Sequence, residues 1–181
     1  MRDLGELELI QRSLGGDLEA WGEIVRRYKE AVFAVTVAVL RNRADAEDAV
    51  QEAFIRAYHK LSHYDLSRKF STWLFAVSVN VAKNLRRKRR PDPLPKEVWA
   101  EDPAHAAWRD ELQHAVRDVV WSLPEEYRVP LILRYWHELP LEEIGEALGL
   151  PLGTVKTRLF RARALVKAAL VERGVISSAL G

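Results

Sequence analysis

The chain has 181 residues, 48% of them hydrophobic, which is enough for one ordinary domain or two small helical ones with a buried core. It has no cysteine, which excludes disulfides and thiolate metal sites, and its longest apolar run, residues 31–40, is too short to span a bilayer. The formal net charge is only +2, but the charge is segregated: residues 86–90 are all basic, residues 92–111 carry six acids against two bases, and residues 154–173 carry six bases against one acid.

Helical periodicity runs through the N-terminal half of the chain. The first residues lack the apolar core of a signal peptide, so we expect a soluble, cytoplasmic protein. Asp17 is a good N-cap residue, and the apolar residues after it recur at intervals of three and four, which predicts a helix running to about residue 40. A second helix is predicted over 43–61 and a third from Phe70, with Ser71 or Thr72 as its cap.

Prolines divide the chain after the third helix. Pro91, Pro93 and Pro95 end that helix, and an acidic linker follows to about Ala104. Helical patterns then resume over 105–122, 124–136, 140–148 and 153–171, with Pro124 and Pro140 expected in first turns. We therefore predict an all-α fold of two small helical domains joined by a flexible acidic linker, with bounds 1–90, 91–104 and 105–176.

The last two predicted helices have the spacing of a helix-turn-helix. Ile144 and Leu148 lie one turn apart and are expected to face inward, as are Val155 and Leu159 on the next helix. Gly145 is small where two helices must cross closely, and Gly149 suits a left-handed helix end. Thr154 is expected at or beside the N-cap, which leaves backbone N–H groups for a phosphate.

This packing turns a basic face outward, which is the arrangement that a helix entering the major groove of DNA requires. Phe160 on this face would suit thymine methyls or sugars. The alternative is a solvated basic face on an ordinary helix pair, and a helix-turn-helix alone names no DNA sequence. The predicted DNA-binding residues are Thr154, Lys156, Thr157, Arg158, Phe160, Arg161 and Arg163.

Three separated stretches, residues 45–61, 70–90 and 122–163, together resemble the extracytoplasmic-function group of sigma factors of bacterial RNA polymerase. The resemblance covers about residues 5 to 172. It implies a promoter-specificity subunit that binds core polymerase, recognises the −35 and −10 promoter elements and promotes strand opening. The chain itself is then not an enzyme, because the polymerase does the chemistry.

The resemblance assigns the polar face of the second helix to polymerase docking, against a helical coiled coil of the largest subunit. The docking residues are Asp45, Asp48, Gln51, Glu52 and Arg56. The alternative for such a face is an ordinary solvated surface. The flap region of the polymerase is the second expected contact, and an anti-sigma protein that masks both domains is a further expected partner.

The next stretch is expected to bind single-stranded −10 DNA, because melting requires an extruded base to be held by stacking and hydrogen bonds. The loop from Tyr64 to Lys69 and one face of the following helix would form the pocket. The expected contacts are Ser67, Arg68, Lys69 and Phe70, then Asn80, Lys83 and Asn84, and finally Arg86, Arg87 and Lys88 for phosphates. The resemblance places Asn80 beside the base pocket. The alternative for the basic run 86–90 is a disordered basic tail.

Two further stretches, the apolar side of the third helix and the acidic linker, also have expected roles. Trp73, Leu74 and Val77 are expected in the core rather than on DNA. The acidic linker resembles the family's DNA-mimicking segment, which lies in the basic nucleic-acid channel of the polymerase, with Trp99 and Trp108 as anchors at its ends.

Enzymatic and metal-binding functions have little support in the sequence. His59 and His63 lie four residues apart, but no third ligand has suitable spacing. There is no P-loop, no dinucleotide-binding glycine motif and no nucleophile elbow. We expect no metal, no cofactor and no small-molecule substrate. The remaining alternatives are a stand-alone helix-turn-helix regulator and a helical adaptor that binds protein rather than DNA.

Overall fold

A computed structural model describes residues 5–88 and 111–177. Within these ranges the chain forms eight α-helices and one 3-10 turn and has no strand, so the all-α prediction is confirmed. None of the described helices is long and apolar enough to cross a membrane. The chain divides into two compact units, one of Met1–Pro91 with Glu146–Gly149 and the other of Asp92–Gly145 with Leu150–Gly181. The linker, Arg89, Arg90, Trp99 and Trp108 lie outside the described residues.

The first unit is a bundle of four helices and a short 3-10 turn. In chain order they are α1 (Glu6–Leu14), α2 (Leu18–Leu40), α3 (Arg43–Lys60), the 3-10 turn (Leu61–His63) and α4 (Phe70–Lys88). Helices α2, α3 and α4 pack on one another, and α1 packs on α2. Apolar side chains such as Ile24, Val35 and Leu74 are buried between them.

Side-chain caps fix where α2 and α3 begin. Asp17 accepts hydrogen bonds from the backbone N–H groups of Glu19 and Ala20, both at 3.0 Å, which confirms the predicted N-cap. Asn42 caps α3 by accepting from the N–H of Asp45 at 3.0 Å.

The predicted cap of α4 is wrong. The helix begins at Phe70, so Ser71 and Thr72 lie inside it, and Thr72 is buried. The backbone N–H of Trp73 donates to the carbonyl of Lys69 at 3.3 Å, which makes Lys69 the residue that begins the helical hydrogen bonding. Phe70, the first residue of the helix, is completely buried.

The second unit contains α5 (Glu111–Ser122), α6 (Glu125–Tyr135), the larger part of α7 (Leu141–Leu148) and α8 (Leu152–Glu172). Helix α8 packs on α5 and α6. The prolines lie one residue earlier than predicted. Pro124 is the N-cap of α6 rather than part of its first turn, and the carbonyl of Pro140 accepts from the N–H of Ile144 at 3.0 Å. A proline before the first turn costs the helix no hydrogen bond, because the helix uses the carbonyl of that residue and not its missing N–H.

Candidate nucleic-acid interface

The turn between α7 and α8 is built on two glycines, as predicted. Gly149 has a φ of 65°, in the left-handed region that favours glycine. The N–H of Leu150 donates to the carbonyl of Gly145 at 2.8 Å. A Cβ atom on Gly145 would lie 2.8 Å from the carbonyl oxygen of Leu150 and 3.7 Å from Cγ2 of Val155. The turn can therefore adopt this conformation only if residue 145 is a glycine.

The start of α8 differs from the prediction for Thr154. Pro151 is the N-cap, and its carbonyl accepts from the N–H groups of Thr154 at 2.9 Å and Val155 at 3.1 Å. Thr154 is thus the third residue of the helix and is half-buried. Its backbone N–H is already used within the helix, so a phosphate would meet the N–H groups of the two residues before it.

The buried and exposed faces of α8 separate as the spacing predicts. Val155, Leu159 and Ala162 are buried, and so is Ile144 on α7, whereas Leu148 is only half-buried. The exposed residues include Lys156, Thr157, Phe160, Arg161 and Arg163, while Arg158 is half-buried. The ring of Phe160 is 67% exposed, an unusually open position for a large apolar side chain.

A shallow depression forms where the N-terminal ends of α6 and α8 meet. It brings together four of the predicted DNA-binding residues with two residues of α6 that the sequence did not indicate; the lining is Glu126, Tyr127, Gly153, Thr154, Thr157, Arg158 and Arg161. A guanidinium nitrogen of Arg158 lies 3.9 Å from the carboxylate of Glu126. The hydroxyl of Thr157 donates to the carbonyl of Gly153 at 2.9 Å, so toward a ligand it offers lone pairs and a methyl group.

The structure does not bring Arg163 to this depression. Two residues after Arg161 the helix has turned by about 200°, so Arg163 lies on the other side of α8. There it lines an apolar groove between α5, α6 and α8. The other groove residues are Val116, Val120, Leu131, Tyr135, Trp136, Val166, Lys167, Leu170 and Ile176.

The predicted docking face lies on the solvent side of α3. Asp48, Gln51 and Arg56 are exposed, and Asp45 and Glu52 are half-buried. The Nε of Arg56 lies 2.5 Å from the carboxylate of Glu52, one helical turn earlier on α3. In the middle of this polar face stands one apolar residue that the sequence analysis missed.

That residue is Ile55, whose side chain is 53% exposed. It follows Asp48 by seven residues and Glu52 by three, which places all three on one stripe of the helix. The same spacing was available in the sequence and would have shown that Ile55 falls outside the buried stripe.

The loop that was predicted to hold an extruded base rests on a cluster of aromatic rings. The ring centroid of Tyr64 lies 5.4 Å from that of Phe70 and 5.1 Å from that of Trp73. Tyr28 of α2 also contacts Phe70, with the two ring centroids 5.5 Å apart. Phe70 is completely buried, so its predicted role as a DNA contact is wrong: its ring supports the loop from below. Leu74 is buried as expected, whereas Trp73 and Val77 are half-buried.

The loop itself is held by its own polar groups. Asp65 accepts from the backbone N–H of Ser67 at 2.9 Å and from its hydroxyl at 2.7 Å. These two hydrogen bonds and the nearby Arg68 lower the pKa of Asp65. The hydroxyl of Tyr64 donates to the carbonyl of Arg68, and Ser67, Arg68 and Lys69 are exposed.

The polar face of α4 continues from this loop. Asn80 is exposed, Lys83 and Asn84 are half-buried, and the guanidinium of Arg87 donates to the side-chain oxygen of Asn84. Arg86, Arg87 and Lys88 are exposed at the end of the helix. The predicted −10 residues other than Phe70 thus form an exposed or half-exposed polar set on one loop and one helix.

Each of the two units matches a known protein family. Residues 24–91 match sigma-70 region 2, and residues 113–166 match sigma-70 region 4. The chain is 38% identical to the ECF RNA polymerase sigma factor SigW of Bacillus subtilis over 85% of this chain and 90% of that protein. It is 33% identical to the RNA polymerase sigma-H factor of Pseudomonas aeruginosa, over 90% of this chain and 92% of that protein.

A solved structure shows the same similarity in three dimensions. CnrH, in complex with the cytosolic domain of CnrY, superposes with a TM-score of 0.68 at 26% identity, covering 91% of this chain and 96% of CnrH. Both halves of the chain, their order and most of their length are thus shared with one group of proteins. The chain belongs to the extracytoplasmic-function (ECF) sigma factors of RNA polymerase.

Proposed function

We propose that this ECF sigma factor directs core RNA polymerase to promoters by reading two DNA elements with two separate surfaces. The observation that carries the proposal is the exposed face of α8, which a glycine-built turn presents as a recognition helix. The polymerase supplies the chemistry, and the chain supplies binding and selection in the cytoplasm. No cofactor and no small-molecule substrate is required for that role.

The −35 element is read by the outer face of α8. Lys156, Phe160 and Arg161 are exposed there, and Arg158 stands beside them at the depression. Arginine and lysine suit guanine edges and phosphates, while an open aromatic ring suits thymine methyls. Arg163, on the far side of the helix, takes no part in base reading.

The −10 element is opened by loop 64–69 and α4. Ser67, Arg68 and Lys69 are exposed above a rigid aromatic support, and Asn80 faces solvent on the following helix. The exposed cations at the end of α4 then contact phosphates, which gives affinity without sequence preference. We assign domain bounds of 1–90, 91–104 and 105–176, and we assign the acidic linker to the polymerase's nucleic-acid channel.

Docking to core polymerase uses the solvent side of α3. The face presents Asp48, Gln51 and Glu52 around the exposed Ile55, which suits a partner helix with basic residues flanking an apolar one. An anti-sigma protein is a further proposed partner, since the similar protein CnrH was solved with a cytosolic protein domain bound.

The test is to mix the purified chain with sigma-free core polymerase and promoter DNA and to measure specific transcripts. Transcripts that depend on the chain support the proposal. Sedimentation with core enzyme but no transcription would indicate an adaptor instead. Tight sequence-specific DNA binding without polymerase, and no effect on transcription, would indicate a stand-alone regulator.

A further inference from the structure

We propose that Glu126 neutralises Arg158 in the free chain and so weakens the binding of the second unit to the DNA backbone, whatever the base sequence. The inference rests on the proposed function of α8 as the helix that reads the −35 element. It adds an acidic residue that limits how tightly this helix binds any DNA. Glu126 acts through Arg158 and is not itself a DNA contact.

The first step is the ion pair. Glu126 lies in the first turn of α6 and Arg158 in the second turn of α8. A guanidinium nitrogen of Arg158 lies 3.9 Å from Oε2 of Glu126. The side chain of Glu126 is 52% exposed and that of Arg158 is 29% exposed, so water and salt reach the pair. Surface pairs of this kind are weak, so arriving DNA can open this one at a small cost.

The second step is the position of Arg158 on α8. Successive residues of a helix are turned by about 100°, so Arg158 lies on the flank of α8 when Thr157 faces outward. Thr157 is exposed and Arg158 is half-buried, which agrees with this placement. A recognition helix turns its outer residues toward base edges, while residues beside them reach the phosphates that border the groove. Arg158 is therefore placed to contact a phosphate.

The third step is that the acid and the cations share one depression. Glu126, Arg158 and Arg161 all line it. A phosphate that approaches Arg158 there also approaches the carboxylate of Glu126, and the two negative charges repel each other. DNA must therefore separate Arg158 from Glu126 and then bind beside a like charge. Both effects lower the affinity for DNA.

The fourth step is that this cost does not depend on the base sequence, because phosphate contacts carry no sequence information directly. An arginine already paired with a carboxylate releases no counterion when it meets a phosphate. Without the carboxylate it releases one, which makes binding more dependent on salt. A weaker backbone contact also reduces binding to the large excess of non-promoter DNA in a cell.

The experiment measures the affinity of the full chain, without polymerase, for two labelled duplexes by fluorescence anisotropy. One duplex carries the −35 block of a template that the holoenzyme transcribes, and the other carries that block scrambled. Glu126→Gln should bind both duplexes more tightly by the same factor, on the order of fivefold at about 0.1 M salt. The slope of log affinity against log salt should steepen by about one. In an Arg158→Ala background, Glu126→Gln should give a clearly smaller gain and no steeper slope.

Glu172→Gln is the matched control, because Glu172 is an exposed acid on α8. It lies about 21 Å along the helix from Arg158, which is beyond the range of electrostatic interaction at this salt concentration. This variant should bind both duplexes as the wild type does. A disturbed α6 would lower the DNA affinity, so the sign of the change separates the proposed effect from misfolding.

Three results would overturn the inference: no gain in affinity in Glu126→Gln, a gain confined to one duplex, or an equal gain in the Arg158→Ala background. The proposed function of α8 fails separately, if the wild-type holoenzyme transcribes templates with the intact and the scrambled −35 block equally well.

Discussion

Two arginines on α8, only two positions apart, lie on different sides of the helix. Arg161 lines the depression beside Glu126, whereas Arg163, two positions later, lines the apolar groove with Lys167. Both are exposed arginines on the same helix, so the difference between them lies in direction and not in chemistry. This pair allows base reading to be separated from the general effect of positive charge.

Replacing Arg161 by alanine should relax the preference at one base pair of the −35 element and cost about 1–3 kcal/mol of binding, because a base contact is lost. The measurement is transcription by the holoenzyme from templates with each −35 position varied. Arg163→Ala removes the same charge from the far side of the helix and should leave the base preference intact. If the two variants shift base preference equally, Arg161 reads no base.

The exposed side of α8 could be predicted from the spacing of its apolar residues. The residues of other helices that lie next to it could not. Val155 and Leu159 four residues apart already indicated which side of α8 is buried. Glu126 and Tyr127 join the depression only because α6 and α8 pack together, and no local pattern carries that contact. Phe70 shows the same limit, since a phenylalanine at the junction of a loop and a helix is equally suited to stacking on a base or to packing in an aromatic cluster.

Among the elements, the α7–α8 turn depends most strictly on one residue type. The backbone of Leu150 approaches Gly145 so closely that a Cβ there would meet its carbonyl at 2.8 Å. The contacting atom is backbone and not the flexible end of a side chain. The turn must therefore open if a side chain is introduced.

Gly145→Ala should lower the free energy of unfolding of the chain by about 1–3 kcal/mol, the usual range for overpacking. Gly153→Ala is the control, because a Cβ at Gly153 meets no atom within 4 Å. Alanine also has a higher helix propensity than glycine, so the control should be neutral or stabilising. Urea unfolding followed by circular dichroism gives both values, and equal destabilisation by the two variants would contradict this account of the turn.

The docking face of α3 leads to a second prediction at this scale. Ile55→Ala should weaken the binding of core polymerase by about 1–2 kcal/mol, because apolar area that the partner would cover is removed. Leu7→Ala on α1 is a matched control, since Leu7 and Ile55 are both 53% exposed in the free chain. A fluorescence titration with core enzyme measures both affinities. No loss of affinity in Ile55→Ala would show that the docking surface lies elsewhere.

Helix positions followed from sequence periodicity better than helix starts did. Asp17 was identified as a cap because its side chain makes the hydrogen bonds, and local chemistry of that kind is visible in sequence. Helix α4 begins at the buried Phe70, where the backbone carbonyl of Lys69 accepts the first bond, and α8 begins after Pro151, whose backbone carbonyl accepts its first bonds. Neither helix start depends on a capping side chain. A search of the sequence for a capping side chain therefore selects Ser71, Thr72 or Thr154 instead.

For the molecule as a whole, the two units differ in how they should respond to mild acid. Burial lowers the pKa of His137, which lies between α6 and α7, below its usual value of 6.5. The folded state therefore favours the neutral ring, and the unfolded chain takes up a proton more readily. The neutral His137 ring therefore contributes fully to the stability of the folded state above about pH 6.5. This contribution is lost as the pH falls toward the pKa of His137 in the folded state.

We therefore expect the chain to be less stable to urea at pH 5.5 than at pH 7.5, with the loss in the second unit. Asp17, Glu23 and Asp65 do not contribute in this range, because their pKa values are lowered from starting values of 3.8 to 4.5. His137→Gln has no proton to gain and should flatten the dependence. A variant that keeps the full pH dependence would rule out His137 as its source.

We expect one chain to select promoters through two surfaces at once. The most direct measurement is transcription by the reconstituted holoenzyme from a library with the whole upstream region randomised, followed by sequencing of the transcribed templates. We expect two enriched sequence blocks, one near −35 and one near −10, separated by a nearly constant spacing. Enrichment of a single block, or of two blocks at unrelated spacings, would contradict it.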